Sequence, residues 1–431
     1  MRALWTRVAI DVRPLRIPAY RRLWISTAVT AVGSQLTAVA VPKQVFDITG
    51  SSGYVGLSGA FGLVPLLVFG LWGGAIADTV DRRIVIMVSN VGIALTSALF
   101  WLQAFVGVGS VWLVLCLLAV QQSFFAVNMP TRFAAISRLV PLDLIPAASA
   151  LGATVGSFGM VFGPLAAGAL LPFVGLPTLY LLDAMALCVA LWLVAKLPAM
   201  PPLSGPSRRA GFADIVAGFR YLAAKNVLLA SFLLDIIAMV AGMPKALFPE
   251  MAERTFGDPP GGGPALGWLF AAIPIGAMLC GLASGWIGRI QRHGVGVTIA
   301  VCGWGVAMIG FGLADSLWLA AVFLALGGVA DMISSVYRTA ILQSAATDEM
   351  RGRMQGVFTV VVAGGPRLAD LTHGWAAAGV GTAAAASGGG VLVIVIAVLA
   401  AVCLPAFWRY RPPREPEGQP QAGTGQSTIV S

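Results

Sequence analysis

Carboxylates and guanidinium groups set inside long apolar runs are the groups of this 431-residue chain with chemistry open to them. A charge carried into hydrocarbon costs several kcal/mol, so one retained there pairs, faces water or meets a solute. The C-terminal half holds most of them: Asp235, Lys245, Glu250, Asp331, Arg338, Arg367, Asp370 and His373. Asp331 and Arg338 are seven residues apart, on one helix face two turns apart. Arg367 and Asp370, at i and i+3, are spaced to pair with each other. Asp331 or Asp235 is the expected proton-accepting carboxylate, with a purely structural ion pair as the competing reading for each. The N-terminal half offers mainly uncharged groups, Gln35, Gln121, Gln122 and Asn128, together with Asp183. Lys43 and Asp47, at i and i+4, are expected to pair locally. A cavity with one neutral and one charged wall suits an amphiphilic solute whose passage is coupled to a proton.

Two further clusters need a reason. Gly73-Gly74-Ala75-Ile76-Ala77-Asp78-Thr79-Val80-Asp81-Arg82-Arg83 is a short polar stretch between two apolar runs. Its glycines allow close helix approach, and its arginine pair suits a water-facing anionic leaflet. The second is a small-residue stripe, Gly152, Gly156, Gly159, Gly163-Pro164 and Ala167-Gly168, which clears one helix face for a partner backbone. Groups for bond-breaking chemistry are scarce. The only histidines are His293 and His373, and there is neither His-x-x-x-His or Cys-x-x-Cys spacing nor a phosphate-binding glycine loop. Membrane hydrolysis and ATP-driven pumping are disfavoured on that ground. No enzyme activity, cofactor or metal is expected.

The elements that position these residues follow from composition. Hydrophobic residues make up 58% of the chain and charged ones 10%, against about 25% charged in soluble domains. Mean hydropathy is +0.87. The chain therefore reads as an all-α, multi-pass membrane protein. Its net charge of +9 flanks apolar runs instead of forming a patch with interleaved aromatics, so no nucleic-acid partner is expected. The five cysteines all fall inside apolar runs without paired spacing and read as packed thiols. No cleavable signal is expected, because the first apolar run is long enough to span.

A span needs about 20 apolar residues. Twelve such segments are expected, near 22–46, 54–77, 84–107, 111–134, 146–172, 176–197, 226–250, 265–288, 295–314, 317–342, 353–377 and 388–409. Basic residues such as Arg21, Arg22, Arg82, Arg83, Arg138, Lys196, Arg289, Arg292, Arg351 and Arg409 fall on alternate connections, and the opposite connections carry only Arg254. By the positive-inside rule both termini are cytoplasmic. Residues 1–21 form a basic N-terminus, and 22–197 and 226–409 form two six-helix units. The connection 198–225 opens with prolines and becomes an amphipathic surface helix around Ile215, Phe219 and Leu222. A Pro/Gly/Gln-rich tail, 410–431, is expected to be disordered.

The two halves echo each other. Gly163-Pro164 recurs as Gly365-Pro366 and Arg132 as Arg338, each roughly 200 residues on. The Asp78 stretch recurs only as Gly285-Trp286-Ile287-Gly288-Arg289. Paired six-span repeats are a transporter architecture. The Asp78 stretch resembles the loop signature of the major facilitator superfamily, Gly-x-Leu-Ala-Asp-Arg-x-Gly-Arg-Arg, matching at Gly74, Asp78, Arg82 and Arg83 and departing at Thr79 and Asp81. Gly159, Gly163, Pro164 and Gly168 resemble the drug:proton antiporter signature Gly-x-x-x-Gly-Pro-x-x-Gly-Gly. Ala40-Val41-Pro42-Lys43-Gln44, Ala217 to Leu222, Phe270 to Ala277 and Arg351 to Gly356 resemble bacterial exporters grouped with the enterobactin exporter.

The resemblance implies two six-helix bundles around a central cavity, with Asp183 on a peripheral helix. It implies that Asp78 gates by meeting the dipole of span 11, and that the glycine motif seals span 5 against span 11. It also implies proton-coupled export of amphiphilic drugs or siderophore-like compounds from the bacterial inner membrane, by a monomer. Gln35, Asp235, Asp331, Arg338, Arg367 and Asp370 would line the cavity. A metabolite importer or facilitator, or a non-transporting receptor on the same fold, is the alternative.

Overall fold

The computed structural model describes residues 11–202, 212–289 and 291–411, with some helical side chains left out. The N-terminal half comprises α1 (Pro18–Thr49), α2 (Ser52–Thr79), α3 (Arg82–Val106), α4 (Val111–Leu139) and α5 (Ile145–Ala195). The linker helix α6 (Phe212–Ala224) follows. The C-terminal half comprises α7 (Asn226–Gly242), α8 (Phe248–Arg254), α9 (Pro264–Leu282), α10 (His293–Gly312), α11 (Leu317–Ala345), α12 (Asp348–Val380) and α13 (Thr382–Cys403). The first span starts at Pro18, four residues before the expected 22, because proline is well placed in a first helical turn.

Among the described residues, ten segments are long and apolar enough to cross a bilayer. Two departures from twelve equal spans have physical causes. Helix α5 runs through 51 residues, and Gly175, at φ 72 and ψ 168, breaks it where a loop is expected at 173–175. Helix α12 falls short on hydropathy because it carries Asp348, Glu349, Arg351, Arg353, Arg367 and Asp370. The expected span 226–250 is itself broken after Gly242, by a short turn at Lys245–Leu247. Pro244 and Pro249 stand at this break and cannot donate to a helix ladder.

Tight reversals hold the antiparallel helices together. Gly50, at φ 64, closes α1 in a left-handed conformation, and the Ser51 hydroxyl accepts from Gly53 N to start α2. The Asp81 carboxylate accepts from Arg83 N at 2.8 Å to start α3, and from Met200 N at 3.0 and 3.1 Å. Asp81 is thus a helix cap and an anchor for the linker. Arg82 donates to the Ala134 carbonyl at 2.9 Å and Arg83 to the Ala195 carbonyl at 2.5 Å. The 284–289 echo forms a short three-ten turn. The expected tail from 412 onward lies outside the described residues.

The halves meet chiefly along α2 with α12 and α5 with α9. Small residues permit both contacts. A Cβ on Gly374 would stand 2.8 Å from the Gly56 Cα, and one on Gly267 would stand 2.7 Å from the Pro164 carbonyl oxygen. Among the described residues, polar bonds across the halves gather at the end that carries Gly50 and Arg254, the closed end. There Lys43, only 1% exposed, reaches Asp47 and Glu253 at 2.5 Å each. Ser52 donates to Glu250 at 2.6 Å, and Arg254 donates to the Gly50 carbonyl at 3.1 Å. The local Lys43–Asp47 pair is therefore present, widened by a third charge from the other half.

Candidate functional site

Two cavities share a wall. The central one, about 330 Å³, lies between the halves and takes Gln35 and Gln122 from one side and Lys245, Arg367 and Asp370 from the other. The second, about 290 Å³, is lined by α1, α3, α4 and α5 of the N-terminal half. Ser34, Gln35, Ile93, Phe125 and Asp183 line both. The break after α7 matters here, since it turns Lys245 into the central cavity where an unbroken helix would continue.

Arg367 and Asp370 do not form the expected local pair. Arg367 donates across the halves to the Gln122 Oε1 at 2.9 Å. Asp370 keeps Oδ1 buried with no hydrogen-bond partner among the described residues, within electrostatic reach of Lys245 and Arg367. Asp235, Asp331 and Arg338 form a second cluster that lines neither cavity, with Asp331 within electrostatic reach of Lys245. Arg338 pairs with the buried Asp235, and its second nitrogen stands 3.7 Å from the Asp331 carboxylate. Asp331 and Arg338 share a face as their spacing requires. Asp235 is 1% exposed and Asp331 39% exposed, so the triad has one buried and one open carboxylate.

The neutral N-terminal wall is corrected in two places. Asp183 is not peripheral: it accepts from Thr37 at 2.7 Å and Ser97 at 2.8 Å, and Gln121 donates to Ser97 at 3.0 Å. Gly33 makes room for it, because a Cβ there would stand 2.6 Å from the Asp183 Oδ1. Arg132 is also internal. It donates to Asn128, Ser26, Thr27 and Asn90, at 2.6 to 3.2 Å. Sequence reasoning assigns Arg132 to a span end, where an arginine is ordinary. Its signal was the echo with Arg338.

The antiporter-like stripe divides by function. Gly159 packs on Ala31 and Gly163 on Gln35, both on α1, while Gly168 packs on Gly267 of α9. These glycines therefore meet spans 1 and 8, not span 11, because α12 packs on α2 and α7 instead. Gly365 correspondingly meets Met239 of α7. Of the expected gate, Arg82 and Arg83 bind carbonyls within their own half. Gly74 and Asp78 lie on α2, and the expected contact between Asp78 and span 11 falls outside the described residues.

Comparison with known proteins agrees with this architecture. The family model described as transmembrane secretion effector matches residues 10–414. Enterobactin exporters of Shigella boydii and Escherichia coli are 30% identical over 343 residues, covering 79% of this chain and 81% of theirs. The fold resembles the nucleoside transporter NupG, at TM-score 0.73 and 12% identity, covering 91% of this chain and 100% of that one. It also resembles a POT family transporter crystallised with a thioalcohol-conjugated peptide, at TM-score 0.67 and 15% identity, covering 90% and 96%. The protein is a multi-pass membrane protein of a transporter family. With a match running almost end to end, the chain belongs to the transmembrane secretion effector family of the major facilitator type.

Proposed function

We propose that this protein is a secondary active efflux transporter that exchanges amphiphilic small molecules for protons by alternating access. The observation that carries the reading is the central cavity, where Asp370 leaves one carboxylate oxygen unpartnered between Lys245, Arg367 and a neutral glutamine face. Such a carboxylate can trade a proton against the neighbouring cations as solute enters and leaves. Asp235 is held by Arg338 and serves the fold; Asp331, more open, is the secondary proton candidate. Similarity to enterobactin exporters supports siderophore-like compounds among the solutes, alongside drugs.

The bonds at the closed end suit a state open toward the terminal end, the end with the chain termini. With both termini in the cytoplasm of a bacterial inner membrane, that state faces inward. Gly74, Asp78, Arg82 and Arg83 then act as the gate at the terminal end, and the monomer is the working unit. Everted vesicles test the core of the reading. Loading of a siderophore and dye panel should depend on the proton gradient, collapse with protonophore, and fall at least about tenfold in Asp370→Asn, on the scale of one lost charge interaction. Gradient-driven uptake that persists at the wild-type rate in Asp370→Asn would sink the assignment.

A further inference from the structure

The cavity within the N-terminal half has the chemistry of an organic-anion site. Its cation is Arg132, 6% exposed yet lining the cavity wall. Sorted by partner, its hydrogen bonds all go to neutral groups: Asn128, Ser26, Thr27 and Asn90. Among the described residues it makes no ion pair, unlike its echo Arg338, which meets two carboxylates. A buried charge without a counterion is costly, and the cost is relieved when a charge of opposite sign enters.

The donors that would receive such a charge are in place. Arg132 Nη2 carries two N–H groups and makes one hydrogen bond, to the Asn90 Oδ1 at 3.2 Å. Asn90, 1% exposed, keeps its Nδ2 buried with no partner and lines the same cavity. The two groups are adjacent, since the bond between them joins Nη2 to the other atom of the same amide. Beyond them the wall is mostly apolar, with Trp24, Phe125, Met129 and Phe133, while Ser34, Gln35 and Asp183, whose carboxylate accepts from Thr37 and Ser97, stand where the cavity meets the central one. Gly152 and Gly156 add width, because a Cβ at either would meet nothing within 4 Å. That half of the stripe does not pack helices.

We infer that this cavity is a binding site for an aromatic organic anion, whose carboxylate or comparable acidic group is held by Arg132 and the Asn90 amide, and whose ring lies on the aromatic and methionine wall. The site adjoins the central cavity at Gln35 and Asp183 and so supplies a first station for solute. This extends the exporter reading, yet binding to purified protein needs no gradient and is judged independently of proton exchange.

The test uses the full-length protein in detergent and radiolabelled 2-naphthoate, with neutral 2-naphthol and cationic 2-naphthylmethylammonium as matched probes. Wild type should prefer 2-naphthoate to 2-naphthol by about tenfold or more, the worth of one charge-assisted hydrogen bond. Arg132→Gln should reduce that preference to about twofold or less on the same scale. Asn90→Asp should do the same while keeping Arg132 partnered, so a folding failure of the first variant leaves the second to decide. Gly156→Trp should remove binding of all three probes by filling the open space. An unchanged anion preference in Asn90→Asp, or binding untouched by Gly156→Trp, would overturn the assignment.

Discussion

At the scale of single residues, the same side chain in two halves does two different things. Arg338 is closed in by Asp235 and Asp331, whereas Arg132 is solvated by amides and hydroxyls alone. Removing one member of a buried pair leaves an uncompensated charge, at a cost of roughly 3–5 kcal/mol, while replacing both with apolar groups of similar size is close to neutral. Arg338→Met should therefore lower the thermal unfolding midpoint in detergent sharply. The double variant Asp235→Leu with Arg338→Met should recover most of the loss. Equal destabilisation by the single and double variants would show that the pair is not the source. Residue pairs were legible in the sequence only where spacing is local. Lys43 and Asp47 announce themselves at i, i+4, but Glu253 joins them from 210 positions away. Asp183 finds Thr37 146 positions back. Nothing in local periodicity encodes such partners, so the charged character of the N-terminal wall stayed hidden.

At the scale of elements, hydropathy runs and reversals predicted most helices within a few residues, because lipid forces backbone groups to pair inside each span. The misfits come from proline and charge. Pro244 and Pro249 split α7 from α8, and the polar face of α12 hides a packed helix beneath a modest hydropathy. The stripe on α5 was legible as close packing, though its partner was not, since small residues show that something approaches without saying what. Gly168 meets Gly267 backbone to backbone, with a Cβ at Gly168 standing 2.7 Å from the Gly267 Cα. Gly168→Val should prevent α5 from closing on α9, because extra methyls there must displace main chain; such overpacking costs about 1–3 kcal/mol. Transport in everted vesicles should be lost while the protein stays in the membrane and monodisperse. Full transport with valine at this position would mean that the contact is not made in the working cycle.

At the scale of the molecule, two halves joined at one end imply that this end must part for a solute to leave. The Ser52 hydroxyl and Glu250 carboxylate, 2.6 Å apart, mark that seam. Ser52→Cys with Glu250→Cys, in a background lacking the five native cysteines, should form a disulfide under mild oxidation. Transport should then fall by about tenfold or more and return on reduction, since a crosslinked closed end removes one of the two access states. Activity unaffected by a verified crosslink would show that the closed end does not open.

The capping role of Asp81 has a mechanical consequence. By holding Met200 N while Arg138 holds the Pro201 carbonyl at 3.3 Å, the N-terminal half keeps the start of the linker on its own surface. The far end is equally occupied: Tyr221 of α6 accepts from Thr347 N at 3.3 Å, on the C-terminal half. The start of the linker is thus tied to one half and α6 to the other, and the carboxylate that departs from the family's loop pattern makes the first of those ties.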